Sequence, residues 1–357
     1  MSVINRKAAA HCFSEGLAHQ QAGRLREARA AYERGLALDP GQTDGRFLLG
    51  QTLFDSGECV AGDGTMRAAI AARPQAFNYR AGLAISLFNA GRLNEAKPEF
   101  FAALQGLPDN PSLWRGMSLC CTADGDVAGA YEAVRAWRQM APADAEAAGL
   151  YATVGAQYHF DRAVTLAGRG QSDEAERAYA EALICAPEAP AILTNLASLC
   201  AAQGRTDEAQ ALYLRAIAAQ ADYAPAYFNL GMLHLDAGRR LDAATVLEQA
   251  AALAPDDGLI AAHLLFQKMH LCRWEGVEPL ARRVAQAVEA GNADIPPFIV
   301  LSMPGSTADL QRRCAATHSA ALCSAEAERM QDQAAVPRPR KGRLRVGYLS
   351  SDFKNHA

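Results

Sequence analysis

The chain has 357 residues and a formal net charge of −4, with acidic and basic residues interspersed; half its residues are hydrophobic but only 7% aromatic. That balance gives no general attraction to nucleic acid or to a membrane surface. No window is long and apolar enough for a membrane span, and the opening MSVINRKAAAHCFSEG lacks the continuous apolar core of a signal peptide. The nine cysteines, at 12, 59, 120, 121, 185, 200, 272, 314 and 323, form no CxxC pair and no metal-ligand spacing. Most fall at apolar helix positions, where Cys behaves as a small hydrophobe. A reduced, cytoplasmic protein is the expectation.

Read in order, the chain is punctuated. Glycines stand at Gly23, Gly57, Gly91, Gly125, Gly170, Gly204 and Gly238, with spacings of 34, 34, 34, 45, 34 and 34 residues. Seventeen residues after each comes a proline, Pro40, Pro74, Pro108, Pro142, Pro187 and Pro255, except in the sixth unit, which has Ala221. Five residues after each glycine comes a small residue: Ala28, Gly62, Ala96, Ala130, Ala175, Ala209 and Ala243. Between these marks apolar residues recur at helical spacing, as at Tyr227, Leu230 and Leu233 and then Ala243, Leu247 and Ala250. The pattern predicts helix, glycine turn, helix and proline stop, with the small residue where the two helices come closest. A 34-residue helix pair with this signature resembles the tetratricopeptide repeat. It implies seven repeats over residues 1–255 in an all-α right-handed superhelix.

The repeats are uneven. Gly62 and Gly64 fall in the second helix of repeat two, which makes that repeat the locally weakest expected. Pro98 falls in the first turn or two of a helix. Repeat five holds eleven extra residues (about 143–169). They are Ala-rich and free of Pro after Pro142, so a longer or an additional helix is favoured over a loop. After Pro255 the register continues through His263 and Leu264, with Trp274 in place of the turn glycine and then a polar helix. Residues 256–330 read as capping and linker helices and 331–342 as a linker. RLRVGYLSSDFKNHA, residues 343–357, alternates Leu344, Val346 and Tyr348 and reads as one β-strand entering a loop, the start of a truncated Rossmann-like domain.

GYLSSDFKNHA after such an array resembles the junction in protein O-linked N-acetylglucosamine transferases and their bacterial SPINDLY-like relatives. The match is carried by Gly347, Tyr348, Ser350, Ser351, Asp352, Phe353 and His356; Ala357 departs from the usual proline. HLLFQKMHLCRWEGVE also resembles the helix and turn before that family's catalytic domain. The resemblance implies that this chain is the substrate-binding arm of a nucleotide-sugar-dependent protein O-glycosyltransferase. It implies a catalytic-site role for His356, whose imidazole suits proton transfer near neutral pH. A UDP-sugar donor is implied only for a full-length parent, and no cofactor or metal for the chain itself, which alone is expected to transfer no sugar. The other reading is a free-standing scaffold for protein partners.

Asn195 and Asn229 occupy the same first-helix position in consecutive repeats. On the concave face of a superhelix, such amides both donate to and accept from an extended peptide backbone. The equivalents Leu48, Gly82, Gly116 and His263 keep that ladder short; two asparagines on a solvated face is the competing reading. Cys120 and Cys121 read as core packing, and His263 and His270 as helix-surface residues. The basic run Arg338, Arg340, Lys341, Arg343 and Arg345 reads as a solvated linker. Protein or peptide partners on the concave face, no nucleic acid and no membrane are expected; a homodimer through the repeats is left open.

Overall fold

The computed structural model describes the backbone of residues 3–332 and the side chains of residues 5–323. Every regular element among the described residues is helical. The expected strand over 343–357, and all but the first two residues of the linker before it, lie outside them. The chain divides into two compact units, the first ending at Ala226 and the second beginning at Tyr227.

The first unit holds six helical hairpins. They are α1 (Val3–Gln21) with α2 (Leu25–Leu38), α3 (Thr43–Asp55) with α4 (Cys59–Ala72), and α5 (Phe77–Asn89) with α6 (Leu93–Leu104). Then come α7 (Pro111–Ala123) with α8 (Val127–Met140), α9 (Ala145–Gly168) with α10 (Ser172–Cys185), and α11 (Pro190–Ala202) with α12 (Thr206–Ala219). Within a hairpin the turn is made by a glycine held at positive φ, between 71° and 88° for Gly23, Gly57, Gly91, Gly125, Gly170 and Gly204. The residue after it donates back to a carbonyl of the first helix, as Arg24 does to His19 (2.9 Å) and Arg205 to Cys200 (2.9 Å). A side chain with a Cβ is strained in that conformation, which is why the spacing of the glycines is the spacing of the repeats.

Small residues bring the paired helices together. Ala28, Gly62, Ala96, Ala130, Ala175 and Ala209 are all buried against the first helices. Opposite them, seven residues before each turn, stand Gly16, Gly50, Ala84, Ser118, Ala163 and Ala197, also buried. Four residues after the second-helix small residue comes a larger side chain that closes the gap: Tyr32, Met66, Phe100, Val134, Tyr179 and Tyr213. Burying each of these contributes about 1.5–3 kcal/mol. The second repeat follows the same plan. A Cβ on Gly62 would lie 2.8 Å from the Gly50 carbonyl oxygen and 2.7 Å from Phe54. Gly62 is therefore a packing residue where α3 and α4 touch, as its place among the small residues predicts, whereas Gly64 faces open space. Pro98 is the sixth residue of α6, and the helix continues through it.

The eleven extra residues of the fifth repeat are helical. Its first helix, α9, has 24 residues where α3, α5, α7 and α11 have 13. The addition lengthens α9 by about 16 Å. Asp144 starts it, its carboxylate accepting from the backbone N–H groups of Glu146 (2.9 Å) and Ala147 (3.3 Å).

The second unit starts within α13 (Ala224–Asp236), whose hairpin with α14 (Arg240–Leu253) turns at Gly238 with φ 74°. It continues through α15 (Gly258–His270), α16 (Val277–Glu289), the short α17 (Pro297–Ser302) and α18 (Ala308–Asp332). Leu247, Leu265, Val284, Ile295, Val300 and Cys314 lie in its core. The turn glycine of the α15–α16 hairpin is replaced not by Trp274, as the sequence suggested, but by Cys272. Its φ of 52° is the one positive value on a non-glycine residue among the described residues. Arg273 donates back to Lys268 (2.8 Å), as in the glycine turns, and Trp274 lies exposed beyond.

Candidate peptide-binding face

In the first unit the first helices also touch one another, α1 with α3, α3 with α5, α5 with α7 and α9 with α11. One face of each is therefore spent on packing and the adjacent face is left as a row. Nine residues before each turn glycine that row carries Ser14, Leu48, Gly82, Gly116, Asp161 and Asn195. Six residues before it stand Leu17, Ile85 and Val164, aliphatic side chains that remain exposed. Sequence reasoning took the asparagines from this row but not the aliphatic residues beside them, although their fixed offset from the turn glycines was there to be read.

Asn195 is half-buried on α11, and its Nδ2 donates to the Ala191 carbonyl one turn earlier (2.8 Å). That bond uses one of its amide hydrogens. Next to it Ser198 bonds the Tyr213 hydroxyl of α12 (2.9 Å), fixing the local surface. Asn229 is half-buried on α13 and is itself engaged. Asn195 belongs to the first unit and Asn229 to the second. At Gly82 and Gly116 the row is interrupted for a packing reason: the rings of Phe47 and Phe100 fill the space a Cβ would take. Phe47 in turn stacks on Tyr79, centroids 4.4 Å apart and 12° from parallel. His356 lies outside the described residues.

The second helices are tied together by a recurring ion pair that apolar periodicity does not show. A side chain six residues after one turn glycine meets one residue after the next, 29 positions on. Arg29 meets Glu58 (2.6 Å), Asp63 meets Arg92 (2.8 Å), Lys97 meets Asp126 (3.1 Å) and Glu176 meets Arg205 (2.6 Å). Hydrogen bonding to Glu95 and Asp63 raises the pKa of Arg92, and hydrogen bonding to Asp124 and Asp126 raises that of Lys97. Buried Glu99 sits at the centre of a further network, accepting from Arg67 of α4 (2.9 Å) and Arg80 of α5 (3.1 Å).

At the fourth junction the corresponding residues are Tyr131 and Gln171, and the structure differs there. The Tyr131 ring stacks on Tyr158 (4.3 Å, 7°), and its hydroxyl lies 3.1 Å from Nε2 of buried His159. Nδ1 of His159 is 2.8 Å from Oε2 of Glu181 on α10. Arg138 lies over the Tyr151 ring, 4.4 Å from its centroid. Burial pushes the Tyr131 phenol well above its ordinary value and the His159 imidazole below its own. A cavity of about 230 Å³ opens between the α7–α8 turn and the middle of α9, lined by Thr122, Gly125, Val127, Ala130, Thr153 and Val154. Among the described residues no helix is long and apolar enough to cross a membrane.

Comparison with known proteins agrees with the hairpin geometry. Family models described as tetratricopeptide repeat match residues 12–42, 87–154, 160–225 and 201–258, together more than half of the chain. No curated protein matches the chain by sequence. Among solved structures, the chain is similar to a tetratricopeptide repeat protein from Parabacteroides merdae, at 14% identity and a TM-score of 0.39, over 73% of this chain and 99% of that one. It is similar to PilF of Pseudomonas aeruginosa at 16% identity and TM-score 0.33, over 71% and 95%. It is also similar to YrrB, described as having an unusual peptide-binding site, at 16% and 0.35, over 55% and 95%. The family matches and the glycine-turn hairpins together make this an array of tetratricopeptide repeats.

Proposed function

We propose that the array is a scaffold that holds extended segments of protein partners along the row presented by its first helices. The observation that supports this reading most is the stacking of first helix on first helix, which leaves polar and aliphatic side chains at one repeating position. Asparagine amides suit a peptide backbone because they donate and accept at once, whatever the peptide's side chains. Leu17, Ile85 and Val164 supply apolar contacts beside them. Replacing Asn195 and Asn229 together by Ala is expected to weaken binding of partners recovered with the wild-type chain by about 1–3 kcal/mol, the worth of two neutral hydrogen bonds. Unchanged binding by a folded double variant would remove the asparagines from the reading.

A second reading is supported by GYLSSDFKNHA alone: the scaffold is the substrate-holding arm of a nucleotide-sugar-dependent protein O-glycosyltransferase, with His356 in its catalytic site. In this reading the row grips the protein that receives the sugar. Reading the gene beyond the codon for Ala357 tests it. A continuing frame that encodes a donor-binding domain supports it, and an immediate stop codon overturns it.

A further inference from the structure

The residues that lengthen α9 build a pocket beside the row. Counted back from Gly170, a first helix of ordinary length would begin at residue 156, as α7 and α11 begin 14 residues before their own turn glycines. Thr153 and Val154 therefore belong to the added turns, and they wall the cavity of about 230 Å³ that faces the α7–α8 turn. Its floor is apolar: Val154 and Ala130 are buried and Val127 is half-buried, while Thr122, Thr153 and Gln157 stand exposed around the mouth. An apolar cavity of about 150 Å³ holds a benzene-sized group, so this one admits a single Leu, Met or Phe side chain.

The pocket is continuous with the row. Thr153, Gln157, Asp161 and Val164, spaced by four, four and three residues, share one exposed face of α9. Nε2 of Gln157, on the pocket's rim, donates to Oδ1 of Asp161 (2.7 Å). Asp161 is the one charged side chain among the residues nine and six before the turn glycines of the first unit, and among the described residues it enters no ion pair. Its neighbour Arg162 turns to Glu181 (3.8 Å), and Asp124 and Asp126 beside the α7–α8 turn are held by Lys97 (2.8 and 3.1 Å). The open charge next to the pocket is thus negative.

We propose that the added turns of α9 make an anchor subsite for partner segments that pair an apolar side chain with a basic one. The apolar side chain enters the cavity, and Asp161 receives the ammonium or guanidinium group of a Lys or Arg. Asp161 lies four residues beyond Gln157 and seven beyond Val154, about 6 to 11 Å along the helix. An extended chain covers that span in two or three residues at about 3.3 Å each, which sets the separation of the pair. The segment leaves the row at Asp161 and follows the exposed face of α9 to the pocket. This subsite rests on the reading of the row as a peptide-binding face.

The test uses short fluorescein-labelled peptides, built of Ser, Gly and Ala except for one Leu and one Lys set two or three residues apart, and measures their binding to the full chain by fluorescence anisotropy. Replacing the peptide's Leu by Ser should weaken binding about tenfold or more. Replacing its Lys by Gln should weaken it about twofold to fivefold, a loss that vanishes in about 1 M salt. Thr153→Trp, which closes the mouth, should erase the preference for Leu and keep that for Lys. Asp161→Asn, which still accepts from Gln157, should do the reverse. Both positions are exposed, so both variants are expected to fold. Asn195→Ala should weaken every peptide by a similar factor whatever its side chains. Binding with no preference for the pair, or preferences that survive both α9 variants, overturns the subsite and leaves the reading of the row standing; failure of every peptide to bind overturns both. A second copy of the chain as the occupant would show as self-association that Thr153→Trp abolishes and the peptides do not reverse, and that result also overturns the proposal.

Discussion

Gly62 and Gly64 lie two residues apart on α4 and meet opposite surroundings. A methyl group on Gly62 would run into the backbone of α3, which cannot move aside, whereas one on Gly64 would meet nothing within 4 Å. Gly62→Ala is therefore expected to lower stability by about 1–3 kcal/mol through overpacking. Gly64→Ala should raise it by about 0.5–1 kcal/mol through helix propensity. Denaturant midpoints that moved in the same direction for both would contradict this account. The turn glycines and the small residues after them were legible in the sequence because both obey a fixed offset. Gly50, the partner of Gly62, was not recognised, because a glycine inside a helix reads as a weakness until the opposing backbone is seen. Cys272 was missed because the reading sought a glycine or an obvious substitute near the turn. Its left-handed conformation follows from the 34-residue register itself, counted from Gly238. Buried His159 carried no signal, since its burial depends on Tyr131 and Glu181 of two other helices.

The elements are tied by charge as well as by packing. Glu99 is buried and receives two guanidinium groups from two other helices, while the side chains of Arg29 and Glu58 are about half-exposed. Glu99→Gln is expected to cost about 1–3 kcal/mol, since two buried charge-assisted bonds lose their acceptor's charge. Glu58→Gln should cost less than about 1 kcal/mol, and in about 1 M salt its effect should nearly vanish. Comparable losses for the two variants in thermal or denaturant unfolding would show that burial does not govern these pairs. Helix positions and the lengthening in repeat five were legible from composition and spacing. Eleven residues return a helix face to nearly its starting direction, so α9 can grow without losing its apolar stripe. The ion pairs were in the sequence too, at a spacing of 29, but a search for apolar periodicity passes over polar positions.

For the molecule as a whole, circular dichroism should show more than about half helix; a lower value would contradict the array, since roughly a third is common to globular domains. Of the candidate site, its first-helix location was readable. The interruption at Gly82 and Gly116 was not, because it depends on where the Phe47 and Phe100 rings land. The four ion pairs between second helices hold one more consequence. Their signs alternate: the earlier repeat supplies a cation at the first junction, an anion at the second and a cation at the third. Repeats so alike in shape could associate out of order during refolding, the third docking on the first and leaving the second out. In that arrangement Arg29 would face Arg92, and were the fourth repeat to dock on the second, Asp63 would face Asp126, so each skipped pairing sets like charges together. The alternation works as an address, telling each repeat its neighbour in a chain where shape alone cannot. Exchanging Arg29 and Glu58 would keep the native pair but offer the first repeat an attractive match to Arg92 of the third. The exchanged chain is expected to keep stability within about 1 kcal/mol, as exposed pairs contribute little. It should refold from denaturant with a lower yield of monomer by size-exclusion chromatography, and an undiminished yield would mean that shape alone is enough to order the repeats.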